Sequence, residues 1–354
     1  MRLVSVEEAL AKLFERWRPQ PRLEKVPLSE AHGRVLGVDV VASMDLPPYD
    51  RSAVDGYAVK AEDTYGAEED SPVALKLAFK VPVGHTPPRG VKHGECAYVA
   101  TGSMLPEGCD AVVMVEYTKE ANGQVEVYRS VAPGENVVKK GSELKQGQLM
   151  LVKGTRLTAR LLGVLASLGL GVVEVVAKPR VAVVSTGPEL VEPGLELREG
   201  CVYDVNSTTV SAMAKEAGCE VDVLGIVPDD LEALTSVVKR AAATHDLVLV
   251  SGGTSKGEAD LLPRALAYVE DAELLVHGLA LKPGKPTVLA LVKGRPLVGL
   301  PGNPTSAMAV FHVLVRPLVD AMLGSREVTS LSVRAVAGCR IHSVKGRREL
   351  MFVS

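Results

Sequence analysis

The sequence lacks the usual signals of several protein classes. Its five cysteines lie far apart and form no CxxC pair, so neither a disulfide framework nor a zinc ribbon is expected. We expect them to be free or core thiols. The seven histidines show no HExxH spacing, which gives no support to a zinc site of that type.

Excess charge and long apolar runs are also absent. A formal charge of -3 and a pI near 6.2 argue against bulk electrostatic binding to nucleic acid or membrane, although a local basic pocket is compatible with them. The start has no secretory signal, and no stretch of about 18 uninterrupted apolar residues occurs. We therefore expect a cytoplasmic protein that binds neither nucleic acid nor membrane.

The apolar content is high enough to build several cores. With 354 residues that are 47% hydrophobic, about two or three domains are expected. Ser5 and Glu8 form a capping-box pattern and open an amphipathic helix through Trp17. We assign residues 1–26 to this N-terminal helical segment.

The next part of the chain changes from helical to β patterning. Over 46–145, short β-rich runs alternate with Gly, Pro and Asn-Gly turns, which predicts a separate β-rich domain. The flanking segments 27–45 and 146–176 are assigned to a linking domain, with a helix over 157–168.

Apolar strands alternate with amphipathic helices over 177–324, the third predicted domain. Strands that are apolar at every residue predict a parallel sheet covered on both faces. The chain then starts an incomplete C-terminal β domain over 325–354. Predicted strands are 180–185, 220–226, 247–250, 274–281, 287–291 and 296–300; predicted helices are 208–217, 231–242, 259–269 and 304–323.

Four loops in this third domain each follow an apolar run and suit contact with an anion. Glycine lets backbone approach a ligand, and helix N-termini favour negative charge. Ligands of parallel sheets bind beyond the carboxyl ends of the strands, so we predict one phosphate or oxyanion site there. The loops are Ser185–Glu189, Ser251–Ser255, Lys282–Pro286 and Pro301–Pro304.

Two of these loops have specific chemistry. Asn303 and Pro304 suit the N-cap and first position of a helix, although an ordinary strand-to-helix turn would look the same. Lys282 and Lys285 place two cations on a proline-stiffened loop. This loop is not a Walker motif, because Pro286 stands where Ser or Thr is required.

A GxSxG string at 253–257 is followed by Asp271 and His277, in the chain order of a serine hydrolase. However, a nucleophile elbow places its serine directly after a strand, and here Ser251-Gly252-Gly253 intervenes. We therefore disfavour the interpretation as a serine hydrolase.

Acidic residues near the loops could hold Mg²⁺ against a phosphate. They are Glu189, Asp229, Asp230, Glu258 and Asp260. Either of the paired aspartates could instead cap the next helix, and Asp260 could be a first-turn helix acid.

Eight strings, in order over nearly the whole chain, resemble the molybdopterin molybdenumtransferase family, which includes bacterial MoeA and the gephyrin E domain. The third domain is similar to the molybdopterin adenylyltransferase fold. The strings are PPYDRSAVDGYAV, ATGSMLPEGCDAVVMVE, VSTGPELV, YDVNS, VPDD, SGGTSKGEAD, LKPGKP and LPGNPTSA.

The resemblance implies an enzyme that inserts molybdate, or tungstate, into adenylylated molybdopterin and releases AMP with Mg²⁺. It also implies a homodimer in which the β-rich domain of the partner completes each site, and a pathway neighbour in molybdopterin adenylyltransferase. The alternatives are the adenylyltransferase step itself and a non-catalytic scaffold.

The resemblance also implies site residues. The catalytic set is Asp55, Thr101, Glu189, either Asp229 or Asp230, and Asp260, with Asp229 and Asp260 as the expected metal ligands. Of the ligand-binding set, the resemblance implies Pro301 and Pro304. Our own candidates from the anion-binding loops complete it: Ser251, Gly252, Gly253, Ser255, Lys282, Lys285, Gly302 and Ser306. The chain departs from the family pattern at Pro188, where many relatives carry an acid, and in the short segment after Gly346–Leu350.

Overall fold

The protein divides into two compact units. The computed structural model describes residues 3–253, 261–326, 333, 334, 336, 338 and 346–351. Unit 1 comprises Met1–Val38, Lys153–Leu162 and Val172–Ser354, and unit 2 comprises Asp39–Val152 and Gly163–Gly171.

Unit 1 opens with the predicted helix, Val6–Arg16. The Ser5 hydroxyl accepts a hydrogen bond from the Glu8 backbone N–H at 3.0 Å, which satisfies one of the donors that a helix start leaves unpaired. The apolar face of the helix is buried, with Ala9 and Leu13 fully inaccessible to solvent. The capping prediction is confirmed.

A six-stranded sheet forms the centre of unit 1. In spatial order its strands are Glu220–Val227, Arg180–Thr186, Leu247–Ser251, Arg295–Leu300, Val288–Val292 and Ala272–His277. The first four run parallel, whereas the last two pair antiparallel.

The prediction of a parallel sheet was therefore wrong for one edge. Val288–Val292 and Arg295–Leu300 are joined by Lys293 and Gly294 alone, both with positive φ. Such a two-residue connection makes a hairpin, because a parallel pair requires a long crossover. The sheet is mixed.

Helices cover both faces of this sheet. Val181 and Val183 pack in one core cluster, whereas Ala182 and Val184 pack in the other. This alternation is what a strand buried on both faces requires. The helices of this part are Val205–Ala217, Leu231–Thr244, Leu261–Ala267 and the run Pro304–Val310, Phe311–Val315 and Arg316–Met322, whose middle segment is a π-helical turn.

Most predicted boundaries lie within a few residues of those observed. The helix predicted from Thr208 begins at Val205, because Asp204 caps it by accepting from the Ser207 N–H at 3.0 Å. It ends at Gly218 with φ of 104°. The strand predicted over 274–281 ends at His277, before Gly278 with φ of 108°.

The helix Pro304–Met322 is long and apolar enough to cross a membrane by length and composition. Its residues Ala307, Val310, Leu314 and Leu318 are fully buried in the core of unit 1. The described structure therefore uses it as a core helix.

Unit 2 contains the predicted β-rich sheet. Its strands, in spatial order, are Ala111–Met114, Gly56–Val59, Glu95–Val99, Val73–Val81, Gln124–Val127 and Thr118–Ala121. One face packs Val59, Leu75, Cys96 and Val125 into a closed core.

Short strand pairs complete both units. Unit 1 pairs Leu23–Pro27 with Val172–Val176, Leu190–Val191 with Val202–Tyr203, and Leu281–Lys282 with Arg348–Glu349. Unit 2 pairs Val40–Val41 with Leu149–Leu151 and Arg51–Ser52 with Val137–Val138. The remaining described elements are one helix and three 3₁₀ turns. Helix Ala159–Ser167 has its first residues in unit 1 and its last in unit 2. The 3₁₀ turns are Leu28–Glu30, Ala61–Thr64 and Val115–Tyr117. The C-terminal β domain expected over 325–354 lies largely outside the described residues.

Candidate functional site

The four parallel strands of unit 1 end at one edge of the sheet, which we call the carboxyl edge. Ser185 stands opposite Ser251, Ser251 opposite Leu300, and Thr186 opposite Val227. This register brings the loops after these strands together, as expected for a ligand site in a parallel sheet.

Two neighbouring cavities lie at the carboxyl edge. The main cavity has a volume of about 540 Å³ and the side cavity about 310 Å³. Thr186, Glu189, Gly252 and Gly302 line both. The main cavity adds Gly187, Pro188, Asp229, Gly253, Pro286, Pro301, Asn303 and Ser306; the side cavity adds Leu190, Val202, Tyr203, Asp204, Val205, Asn206, Ser251 and Pro304.

Gly252 allows two of the loops to approach each other closely. Its φ is 92°, and a Cβ placed on it would lie 2.1 Å from the Thr186 carbonyl oxygen. A side chain at this position would therefore meet both an unfavourable backbone conformation and a backbone clash. Glycine leaves the cavity wall here as bare backbone.

The structure separates the two adjacent aspartates. Asp230 caps the helix Leu231–Thr244 by accepting from the Ala233 N–H at 2.8 Å. Asp229 instead accepts a hydrogen bond from the Thr186 hydroxyl at 3.1 Å and lines the main cavity. Asp229 is thus the member of the pair that faces the loops.

Glu189 contributes a second carboxylate to the same wall. It is exposed and lines both cavities. A Cβ on Gly187 would lie 2.7 Å from its Oε2 atom, so the carboxylate rests over the glycine of its own loop.

The final loop has the geometry predicted for a helix start. The Asn303 side chain accepts from the Ser306 N–H at 3.3 Å, and Pro304 occupies the first helical position. This part of the prediction is confirmed. Pro301, Gly302, Pro304 and Ser306 all line the cavities, while their role in holding an anion stays a prediction.

The loop Lys282–Pro286 contributes less to the cavities than the other three loops. Lys282 Nζ pairs with a Glu349 carboxylate oxygen at 2.8 Å. Pro286 of this loop lines the main cavity. In the part of the chain that the structure describes, the two cations Lys282 and Lys285 line neither cavity.

Asn206 is a cavity residue that the sequence pattern did not reveal. Its side-chain Nδ2 donates to Ser251 Oγ and to the Gly302 carbonyl oxygen, each at 2.8 Å. It belongs to the YDVNS string, which was the only signal that could have pointed to it.

Unit 2 places its two predicted site residues in direct contact. Asp55 Oδ1 accepts from the backbone N–H of Thr101 at 2.6 Å and from its hydroxyl at 2.9 Å. These bonds stabilise the charged carboxylate, so the pKa of Asp55 lies below its ordinary value.

Some predicted residues lie outside the described structure. These are Ser255 and Asp260, together with Glu258 and most of the GxSxG string. Among the described residues, one group of three side chains could converge on a metal ion, namely Glu62, Asp63 and His93 in unit 2. Asp63 accepts from the Gly94 N–H at 2.9 Å and contacts the His93 ring, so two of the three side chains already contact each other.

Comparison with known proteins covers both units. A model of the MoeA N-terminal region (domains I and II) matches residues 4–169, and a model of a probable molybdopterin binding domain matches residues 182–321. A Staphylococcus epidermidis protein named molybdopterin molybdenumtransferase is 33% identical over 323 residues, which is 91% of this chain and 77% of that protein.

Further similar proteins agree with this. Molybdopterin molybdenumtransferase 2 of Mycobacterium tuberculosis is 35% identical over 92% of this chain and 81% of its own. The molybdopterin biosynthesis MoeA protein of Pyrococcus horikoshii is 34% identical, covers 98% of this chain and 86% of that structure, and has a TM-score of 0.84.

Proposed function

The chain belongs to the molybdopterin molybdenumtransferase family, and on that premise we propose that it inserts molybdate into adenylylated molybdopterin with release of AMP. In this reaction the two dithiolene sulfurs replace two oxygen ligands of molybdate, which leave as water with the two thiol protons and two protons from solvent. One water hydrolyses the phosphoanhydride bond, which leaves AMP and the phosphate of molybdopterin. The observation that carries the proposal is the cavity at the carboxyl edge, which lies within the matched molybdopterin binding domain.

The walls of the main cavity suit an anionic ligand with a divalent cation. Gly253 exposes backbone beside this cavity, and the loop before helix Pro304–Val310 directs a helix start toward the same space. Helix starts and exposed N–H groups favour phosphate and other oxyanions. Molybdate is such an oxyanion.

The donor set at this wall fits Mg²⁺. Asp229 and Glu189 provide carboxylate oxygens beside one cavity, which is the ligand type that Mg²⁺ prefers. When bound, Mg²⁺ would neutralise phosphate charge and stabilise the leaving AMP. The Thr186 hydroxyl holds Oδ1 of Asp229, so this carboxylate is oriented before any ligand arrives.

The reaction can be measured directly with purified protein. Adenylylated molybdopterin and Mg²⁺ are supplied with and without molybdate, and AMP is quantified by chromatography while an apo-molybdoenzyme reports the product. Molybdate-dependent AMP release with reconstitution supports the proposal. Synthesis of adenylylated molybdopterin from ATP instead would assign the preceding adenylyltransferase step. A folded protein that shows neither activity would contradict both assignments.

The same assay with tungstate addresses metal choice. Molybdate and tungstate are tetrahedral oxyanions of equal charge, so hydrogen bonds and charge discriminate poorly between them. We propose that both are accepted, and a rate with tungstate below one-hundredth of the molybdate rate would contradict this.

We further propose a cytoplasmic homodimer in which Asp55 and Thr101 of one copy serve the carboxyl-edge site of the other. The two residues already form one hydrogen-bonded pair. Mixing inactive Asp55→Asn and Asp229→Asn proteins under subunit exchange should restore about a quarter of wild-type activity, because random pairing leaves one intact site in each heterodimer. No recovery despite proven exchange would contradict a shared site.

A further inference from the structure

Asn206 is a buried polar residue that joins three elements at the carboxyl edge. It lies in the first turn of helix Val205–Ala217 and is 6% exposed. Its amide group donates one hydrogen bond to Ser251 Oγ and one to the Gly302 carbonyl oxygen, each at 2.8 Å. A single side chain thus connects a helix to two cavity loops.

The orientation of this amide follows from its partners. A backbone carbonyl such as that of Gly302 can only accept, so the nitrogen of Asn206 must face it. The second N–H of the same nitrogen then points to Ser251 Oγ, which accepts. Ser251 therefore keeps its own hydroxyl proton for donation to another group.

The two loops have no other side chain that ties them together in this way among the described hydrogen bonds. The strands before them pair through Ser251 and Leu300, and Gly252 donates its N–H to the Leu300 carbonyl oxygen at 3.2 Å. The Asn206 amide extends this connection one step further, from Ser251 to Gly302.

We propose that Asn206 is a positioning residue that sets the separation of the Ser251–Gly253 and Pro301–Asn303 loops and orients the Ser251 hydroxyl as a donor to ligand oxygen. The ligand class is a phosphate or other oxyanion in the side cavity, which Ser251, Gly302 and Asn206 all line. This inference rests on the proposed function, because the loops matter only if the ligand binds at this edge.

Two substitutions distinguish donation by the amide from simple space filling. Asn206→Asp keeps the volume but removes both N–H donors and places a carboxyl oxygen against the Gly302 carbonyl. Asn206→Ala removes the donors and the volume without this repulsion. A donor role predicts that Asn206→Asp loses at least as much activity as Asn206→Ala, whereas a packing role predicts that the alanine variant is worse.

Asn136→Asp is the matched control. In unit 2, Asn136 Nδ2 donates to the Val112 carbonyl oxygen at 2.9 Å, so this variant loses the same type of bond without altering any residue that lines the two cavities. All three variants are first compared by thermal unfolding. Activity is then measured well below the lowest Tm, so that loss of folded protein does not enter the comparison.

The expected result is a roughly tenfold to hundredfold fall in kcat for AMP release in both Asn206 variants, as displaced catalytic groups produce, with a smaller change in KM for molybdate. Hydrogen exchange should rise in the 251–253 and 300–303 backbone of Asn206→Ala. Asn136→Asp should change neither. Wild-type kcat in both Asn206 variants, or unchanged exchange in these loops, would overturn the inference.

Failure of the proposed reaction can be distinguished from failure of the inference about Asn206. If wild-type protein releases no AMP, the proposed reaction falls while the exchange measurement still decides whether Asn206 positions the loops. In that case inorganic phosphate serves as the binding probe. Equal phosphate affinity in wild type and Asn206→Ala would then overturn the claim that the amide prepares the edge for an oxyanion.

Discussion

Thr186 donates its hydroxyl to Asp229 Oδ1 at 3.1 Å across the carboxyl edge. Thr186 is 3% exposed, so its hydroxyl lies at the buried base of the loop and can direct the aspartate side chain toward the cavity. The neighbouring Asp230 uses its carboxylate to cap a helix instead. Two adjacent aspartates therefore have different structural tasks.

This difference predicts opposite phenotypes for the two positions. Under the proposed function, Asp229→Asn should lower Mg²⁺-dependent AMP release at least a hundredfold with little change in Tm, because the amide keeps the side-chain size but lacks the charge. Asp230→Ala should lose about 1 kcal/mol of unfolding free energy through the missing cap and a much smaller part of its activity. Kinetics and chemical denaturation on both proteins measure the contrast, and equal activity losses would contradict the assignment.

The pair of Asp55 and Thr101 gives a prediction about pH. Bonds from the Thr101 N–H and hydroxyl lower the pKa of Asp55, so their stabilising effect is present above the ordinary aspartate pKa and is lost as pH falls through the lowered value. Thr101→Val removes the hydroxyl bond and leaves the backbone bond. The pKa of Asp55 should therefore move upward, though not fully to its ordinary value, in an NMR titration of the carboxyl carbon.

Thr118→Val is a suitable control for that titration. The Thr118 hydroxyl donates to the Val115 carbonyl oxygen at 2.9 Å, so the substitution removes a hydroxyl of unit 2 without touching Asp55. An unchanged Asp55 pKa in Thr101→Val, or an equal shift in both variants, would show that the hydroxyl does not stabilise the carboxylate.

Sequence patterns predicted the elements of unit 1 well because each is determined locally. The helix over 231–242 follows its apolar spacing and begins at Leu231 as observed. Gly218 ends its helix because it adopts positive φ. The loops after Thr186, Ser251 and Leu300 meet because their strands are parallel and in register.

Contacts between distant segments could not be predicted in the same way. Apolar runs do not reveal strand direction, so the antiparallel hairpin at Lys293 and Gly294 was missed. Asp229 and Asp230 were both candidates for the helix cap, and only their observed hydrogen bonds separate them, with Ala233 for Asp230 and with Thr186 for Asp229. Asn206 gains its significance from Ser251 and Gly302, which are 45 and 96 residues away.

Gly252 and Gly294 allow a test of backbone approach at the site. Both have positive φ, but a Cβ on Gly252 would lie 2.1 Å from the Thr186 carbonyl oxygen, whereas a Cβ on Gly294 would meet nothing within 4 Å. Gly294→Ala should cost about 1–2 kcal/mol for the left-handed backbone alone. Gly252→Ala should cost about 1–3 kcal/mol more through overpacking, measured by urea unfolding; equal losses would contradict the close approach.

Burial predicts which thiols resist modification. It raises the pKa of Cys96, Cys109 and Cys219 to about 12, so at pH 8 only about one in ten thousand of each is the reactive thiolate. Brief iodoacetamide treatment of the folded protein, followed by peptide mass spectrometry, should find these three positions unmodified. The same treatment in urea should label them fully, because unfolding returns each thiol to water and to a pKa near 8.5. Rapid labelling of Cys96 in the folded protein would contradict the closed core of unit 2, where it is fully buried.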